Sequence, residues 1–482
     1  MSGIVGKNAG RASGIVGAGD IGADAVDSAN IADDAIDSEH YTDGSIDNAH
    51  IADNAIDSEH YADGSIDTAH IADNQITLAL MAGGTDGNII SYDASGDPVA
   101  IATGDDGQVL TSTGAGSPPA FEAAGASGDL RNYIIDGGMT SFPEGDKTGV
   151  DTAGTYGPAL WSINDTSTAI WTLSQSTDVP TYAESGHQGK YSFKALITTA
   201  DASLAVSDYS LLHYVVTGTD YADLHGGKNV TMRFWAKFDA DGSSSTSAPY
   251  SFSVAIFNSA LNRSYVKELS MAADDDWQKF EFTFPTDTTG TWLFTEADRG
   301  MRIGICMGAG SNYHGTDETW EGARDYSTSN QENLQDYAGN AFYLTQVGLY
   351  IGDSAPTFVG EPVATVADQV DYYIQRYNFD STGEESIDVG QVFGTQQSYF
   401  PFHYRRKMRV KPSGSLTAAG TFACTETGGA NETCITAAHS GTGTNGSRIY
   451  VTKSTTNLVA GGAALVVRDG TDVCWIQLDA RH

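Results

Sequence analysis

IGADAVDSANIADDAIDSEHYTDGSIDNAH (residues 21–50) runs on without a break as IADNAIDSEHYADGSIDTAHIADNQIT (residues 51–77). These are near-identical ten-residue units, and repetition of this kind is read before any single motif. One large apolar residue stands at every fifth position: Ile21, Val26, Ile31, Ile36, Tyr41, Ile46, Ile51, Ile56, Tyr61, Ile66, Ile71 and Ile76. Almost everything between them is Asp, Ala, Ser, Gly, Asn or His. On an α-helix, five steps turn successive apolar residues about 140° apart, so no stripe forms. On a strand they fall on alternate faces. A coil of five-residue sides wants a small residue two places before each apolar one, where this chain carries Asp34, Glu39, Asn54 and Glu59. One apolar residue in five does not offset the ordering entropy of a lone chain. Copies wound in parallel bury those residues against one another.

The reading for residues 21–80 is therefore the shaft of a parallel homotrimer. Its seam is Ile31, Ile36, Tyr41, Ile46, Ile51, Ile56, Tyr61, Ile66 and Ile71. The alternative is an acidic disordered linker, which has no need of strict apolar register. His40, His50, His60 and His70 each follow an Asp by three residues (Asp37, Asp47, Asp57, Asp67). That spacing suits one helical turn capped by the Asp. Imidazoles gathered on a trimer axis to hold a transition metal are the alternative. The expectation is caps and no metal.

The chain has 482 residues, enough for about two to four domains. With 62 acidic against 25 basic residues its net charge is −37, which repels nucleic acid and anionic membrane surfaces. No stretch reaches the ~18 apolar residues of a membrane span. MSGIVGKNAGRASGIVGAG at the start lacks the apolar core of a secretory signal. Residues 1–20 read instead as a flexible docking segment anchored by Ile4, Val5, Ile15 and Val16. Four cysteines make no disulfide framework and no CxxC pair. Cys424 and Cys434 flank a polar loop, as a bridge across a hairpin or as two buried thiols.

After the repeats, TDGNIISYDASGDPVAI (from Thr85) realigns with DDGQVLTSTGAGSPPAF (from Asp105), two hairpin modules of a β-rich collar over residues 81–128. Residues 129–360 alternate apolar and polar in run after run, as in YSFKALITT (from Tyr191) and VTMRFWAKFDA (from Val230). With no helical stretch between, that predicts an antiparallel sandwich. Residues 361–385 form a connector, with a helix expected over Val363–Tyr377, and residues 386–482 a smaller β domain. The fold class is all-β.

Three phrases carry a resemblance: the shaft repeats, DGQVLTSTGAGSPPAF, and NYIIDGGM (from Asn132). Together they resemble bacteriophage tail fibre proteins. SDYSLLHYVVTGTDYADLHGGKNVTMRFWAKF (from Ser207) is similar to the jelly-roll, carbohydrate-binding-module-like domain of such fibres. FYLTQVGLYIG followed by DYYIQRY resembles the exit from that domain. The resemblance implies an elongated homotrimeric virion fibre, assembled in the host cytoplasm. It would be mounted through its N-terminus on other tail or capsid proteins and would attach to a host surface glycan. An adaptor fibre carrying another receptor-binding protein and a polysaccharide depolymerase are the alternatives.

No GxSxG, HExxH, phosphate-loop or dinucleotide motif occurs, and acid clusters such as Asp274–Asp276 are common in so acidic a chain. The expectation is no enzyme and no cofactor. A sugar needs an aromatic platform ringed by polar groups. Tyr313, Trp320 and Tyr326, in the long polar stretch from Gly308 to Tyr337, are candidates. So are Arg405 and Arg406, in the basic run from His403 to Lys411, read as a strand with one positive face. The alternatives are packing of the loop, and ion pairing of the run, against a neighbouring chain. Of the tryptophans, Trp235, Trp277 and Trp475 read as core, while Trp161, Trp171, Trp292 and Trp320 lie nearer loops.

Overall fold

A computed structural model describes residues 22–72 (except 24, 28 and 68), 87–123 (except 107), 131–379 (except 243, 245 and 246), 386–426, 431–469 and 474–481. Ile4, Val5, Ile15, Val16, Ile21 and Ile76 lie outside the described residues. The chain divides into two compact units, Met1–Thr103 and Gly104–His482.

In the first unit the repeats fold as a string of turns, one closing every five residues. The N–H of Ala35 reaches the carbonyl of Ala32, His40 that of Asp37, Ser45 that of Thr42, and so on to His70 and Asp67. Two kinds alternate. One places a left-handed residue at Asp34, Gly44, Asn54 and Gly64, with φ between 61° and 75°. Gly, Asn and Asp are the residues that accept this conformation at least cost, which explains the choice at those positions. The other is the Asp-capped turn. Asp37 Oδ1 accepts from the Glu39 amide at 3.1 Å and meets His40 Nδ1 at 2.7 Å. The same clasp recurs at Asp47–His50, Asp57–His60 and Asp67–His70. All these bonds are local. Among the described residues of the repeats none is buried, and the seam runs from 38% exposed at Ile51 to 51% at Tyr41 and Tyr61. A hairpin of β1 (Ile89–Tyr92) and β2 (Pro98–Ile101) follows in the same unit.

The second unit opens with the other expected hairpin, β3 (Gln108–Thr111) and β4 (Ala120–Ala123). A two-sheet sandwich comes next. Its strands are β5 (Lys147–Val150), β6 (Thr155–Tyr156), β7 (Ser162–Asp165), β8 (Ile170–Ser176), β9 (Ser192–Thr199), β10 (Tyr209–Thr217), β11 (Asn229–Asp239), β12 (Tyr250–Phe257), β13 (Ser264–Met271), β14 (Gln278–Pro285), β15 (Arg299–Ala309), β16 (Trp320–Glu321) and β17 (Ala341–Ile351). One sheet runs β16-β13-β12-β15-β10-β7-β6, the other β14-β11-β17-β9-β8-β5. Alternation supplies the core: on β11, Val230, Met232, Phe234, Ala236 and Phe238 all point inward, fully buried.

Three expectations need correction here. Trp161 and Trp171 are at most 1% exposed, and Trp292 is buried as well, whereas Trp277 and Trp475 are half-buried. Position near a loop did not foretell depth: Trp171 lies on β8 with its ring in the core, and Trp161, beside β7, packs 5.1 Å from the Tyr214 ring of β10. Two short helices, α1 (Tyr182–Ser185) and α2 (Gly218–Leu224), also interrupt the strands. Thr181 and Thr217 cap them, each accepting the amide of an acidic third residue.

α3 (Val363–Asp371) stops well short of Tyr377, because Ile374–Phe379 forms strand β18 instead. The smaller β module adds β19 (Ser386–Val392), β20 (Gln397–His403), β21 (Ser413–Leu416), β22 (Phe422–Glu426), β23 (Glu432–Ser440), β24 (Gly446–Lys453), β25 (Ala463–Arg468) and β26 (Cys474–Asp479). β18 pairs with β26, so half of the expected connector belongs to this module. β19-β20-β24-β23-β22-β25 close a barrel, and β18-β26-β21 form a small sheet. Cys424 and Cys434 are buried free thiols, and burial pushes the Cys434 thiol up to about 12. The basic run is no strand: the chain leaves the sheet after His403, and Arg405 and Arg406 reach for α3, while Arg409 donates to the carbonyls of Ala480 and Glu296.

Candidate functional site

The long loop after β15 folds back over the outside of its own sheet. Tyr326 packs there with Leu211, Phe257 and Cys306. Tyr209, Tyr313 and Tyr326 stand with ring centroids 4.9–5.2 Å apart. The Arg324 guanidinium lies 5.1–5.3 Å from all three rings, donating to the hydroxyls of Tyr326 at 2.6 Å and Tyr209 at 2.9 Å. This cage is already filled by the chain's own cation. Trp320 is elsewhere: it pairs with Tyr265 in the sheet, donates its indole N–H to Pro285 O at 2.7 Å and meets Trp292 edge-on. Tyr313 and Tyr326 are therefore brought together, Trp320 is not joined to them, and all three rings hold the loop down.

The basic run leads to an open cleft. α3 buries Val366 and Val370 against Ala159 and Ile374, which turns Gln369 and Tyr372 outward. Asp371 and Asp368 on this helix draw in the run. Arg405 pairs with Asp371 at 3.1 Å and stacks 4.4 Å over Tyr377. Arg406 pairs with Asp368 at 2.9 Å and lies 5.3 Å from the Tyr372 ring. The pairing expected between chains thus occurs within one chain.

The facing wall comes from the NYIIDGGM phrase. Asn132 fastens it to β17, accepting the Ile134 and Leu349 amides (3.0 and 2.9 Å) and donating to Val347 O at 3.0 Å. The Ile135 amide donates to the Tyr214 hydroxyl at 2.9 Å. Arg131, held at that point, pairs with Asp220 (2.5 Å) and Asp223 (3.1 Å) and stacks 4.7 Å over Tyr133.

Two cavities adjoin here, sharing Arg131, Asn132 and Glu361. One, of about 260 Å³, is polar, with Arg131, Asp220, Glu296, Gln369, Tyr372 and Arg406 on its walls. The other, of about 430 Å³, is mainly apolar, walled by Tyr350, Pro356, Val359 and Pro362. Gln369 Oε1 is buried without a hydrogen-bond partner, an acceptor left open on the polar side. The Tyr372 hydroxyl donates to Glu296, and burial pushes its pKa up. Together the cavities make an amphipathic cleft: ring and aliphatic surface beside donors and acceptors held by ion pairs. That arrangement suits a polyhydroxylated ring, whose faces are apolar and whose edge is polar.

No family profile matches the chain, and no curated protein matches it. Solved structures do. The chain has distant structural similarity to jelly-roll carbohydrate-binding modules. A family 4 module is 15% identical, covering 45% of this chain and 99% of the module, with a TM-score of 0.25. The CBM22-1 xylan-binding domain of Paenibacillus barcinonensis Xyn10C is 11% identical (47% and 97% covered, TM-score 0.23). A family 11 module of Clostridium thermocellum, solved with a mixed-linked tetrasaccharide, is 14% identical (44% and 98%, TM-score 0.23). At such scores the strand order above remains the description of the architecture, and the ligands of these modules say nothing about this cleft.

Of the sequence candidates, Arg406 lines the cleft and Arg405 braces it from behind. Sequence reasoning missed Arg131, Tyr372 and Gln369. NYIIDGGM was noticed as a family phrase, but nothing local in it signals a wall.

Proposed function

We propose that this chain is a non-enzymatic glycan-binding protein, a homotrimeric phage fibre subunit that attaches to the host surface. The observation that carries the binding reading is the cleft between NYIIDGGM and α3. Its apolar half sits beside a half equipped with Arg131, Arg406 and an unspent acceptor on Gln369. The trimer reading is supported by the repeats, whose described apolar residues at the five-residue positions stay 38–52% exposed in the single chain. Fibre and host attachment rest on the resemblance of the repeat, collar and NYIIDGGM phrases.

The test is titration of the full chain with oligosaccharides released from host envelope, followed by calorimetry and by assay of new reducing ends. Saturable binding is expected, weakened about tenfold by Arg406→Ala, which removes a charged hydrogen-bonding group from the cleft. Binding unchanged in Arg406→Ala and Tyr372→Ala would remove the cleft from the proposal. Release of new reducing ends would replace the binder by a depolymerase.

A further inference from the structure

The closed barrel carries a second aromatic surface, apart from the cleft. Along β20 and β24 the side chains alternate strictly. Ser398, Phe400 and Phe402 face Ile449 and Val451 inside, while Tyr399 and Pro401 face Arg448 and Tyr450 outside. Tyr399 stands directly opposite Tyr450 in register, with centroids 5.5 Å apart. Phe393, from the turn before β20, lies nearly parallel on Tyr399 at 4.4 Å and 17°, yet remains 42% exposed. Val389, on the neighbouring strand β19, is 58% exposed. Phe393 thus stacks on Tyr399, and Tyr450 stands tilted by 37° and 50° to the two, an aromatic cluster on the solvent side of a closed sheet in which Phe393 is the most exposed ring.

Its polar groups are unspent. The Thr452 hydroxyl donates to the Tyr450 oxygen at 3.0 Å, which leaves the phenolic proton of Tyr450 free to point outward. The exposed Arg448 guanidinium lies 4.8 Å over the Tyr399 ring and forms no ion pair with any described carboxylate. At α3, by contrast, Arg405 over Tyr377 is paired with Asp371. A guanidinium fork matches a carboxylate in two parallel bonds, and a ring plane matches the apolar face of a pyranose.

We propose that the Phe393–Tyr399–Tyr450 cluster with Arg448 is a second saccharide site, selective for a sugar that carries a carboxylate. The exposed Phe393 ring takes the pyranose face, and Arg448 takes the carboxylate. The site does not depend on the cleft at α3.

Oligogalacturonate is the probe, titrated into the full chain by calorimetry. Its methyl ester and a polyglutamate of equal charge are the comparisons. The wild type should bind oligogalacturonate, the ester at least tenfold more weakly, and polyglutamate not at all. Arg448→Gln should weaken oligogalacturonate at least tenfold with melting temperature unchanged, since its side chain is exposed. Phe393→Ser should weaken it as much while lowering the melting temperature, since the ring also packs on Tyr399. Arg406→Ala, in the cleft, should leave this binding intact. A wild type that ignores oligogalacturonate, an Arg448→Gln variant that binds it equally, or equal binding of polyglutamate would overturn the assignment. So would a fall in oligomer mass in Phe393→Ser, which would make the cluster a contact between copies.

Discussion

The repeats and the sandwich solve the same problem in opposite ways. In the sandwich, Trp171, Leu173, Phe193 and Phe234 have no exposure at all, because alternation gives each strand one apolar face and two sheets close on it. In the repeats, Ile36, Ile46, Ile56 and Ile66 stay 47–50% exposed although every turn is hydrogen-bonded. Local bonding sets the shape of a chain, and burial needs a second surface. The sandwich makes its own second surface. In the proposed fibre, the repeats borrow theirs from other copies.

The sharpest way to break that contrast is to charge the seam. Ile46→Asp, Ile56→Asp and Ile66→Asp together should abolish the trimer while the sandwich melts as before. Retention of oligomer mass in this variant, measured by light scattering, would contradict the borrowed core. The reciprocal change is Trp171→Ala. It opens a cavity in the sandwich and removes the 2.5 Å indole bond to Asp165. A loss of about 3–5 kcal/mol is expected by denaturant unfolding, with oligomeric state unchanged.

Asp136 tests the sandwich from a different side. Burial pushes its pKa up to about 6, against bonds from Thr140 and Ser141 that favour the charged form. A folded pKa above the unfolded 3.8 means that the protonated form stabilises the fold. That stability is fully present below the unfolded value and is lost as pH rises through about 6. The loss is about 3 kcal/mol between those limits. Asp136→Asn should flatten this part of the stability profile, and an unchanged profile would assign the slope to other groups.

Smaller effects are expected at the cleft and at the turns. Gln369→Leu removes an acceptor with no internal partner, so it should leave stability intact and weaken glycan binding about threefold to tenfold. A loss of stability instead would make Gln369 structural. Replacing His40, His50, His60 and His70 by Ala breaks exposed Asp–His clasps worth well under about 1 kcal/mol each. Melting of the repeats should shift by only a few degrees.

What could be read in advance follows the same division. Period-two alternation is a local property, and it marked the strands at Tyr191, Val230, Tyr250, Trp277 and Phe342. The Asp-x-x-His spacing likewise announced its capped turns. Depth was not legible, since Trp161 is buried against Tyr214 of β10 and not by its own neighbours in sequence. The basic run was visible as an anomaly of charge, but its conformation was not, because Asp368 and Asp371 of α3 decide where Arg405 and Arg406 go. The cleft needs Arg131 and Tyr372, far apart in the chain and joined only by docking. Ring positions 399 and 450 became neighbours only through strand register.

Sedimentation equilibrium of the unmodified full chain puts the question most directly. A borrowed core requires a species of three times the 50.8 kDa chain mass, persisting on dilution to nanomolar concentration. A folded monomer of 50.8 kDa, with the repeats protected from protease, would contradict it.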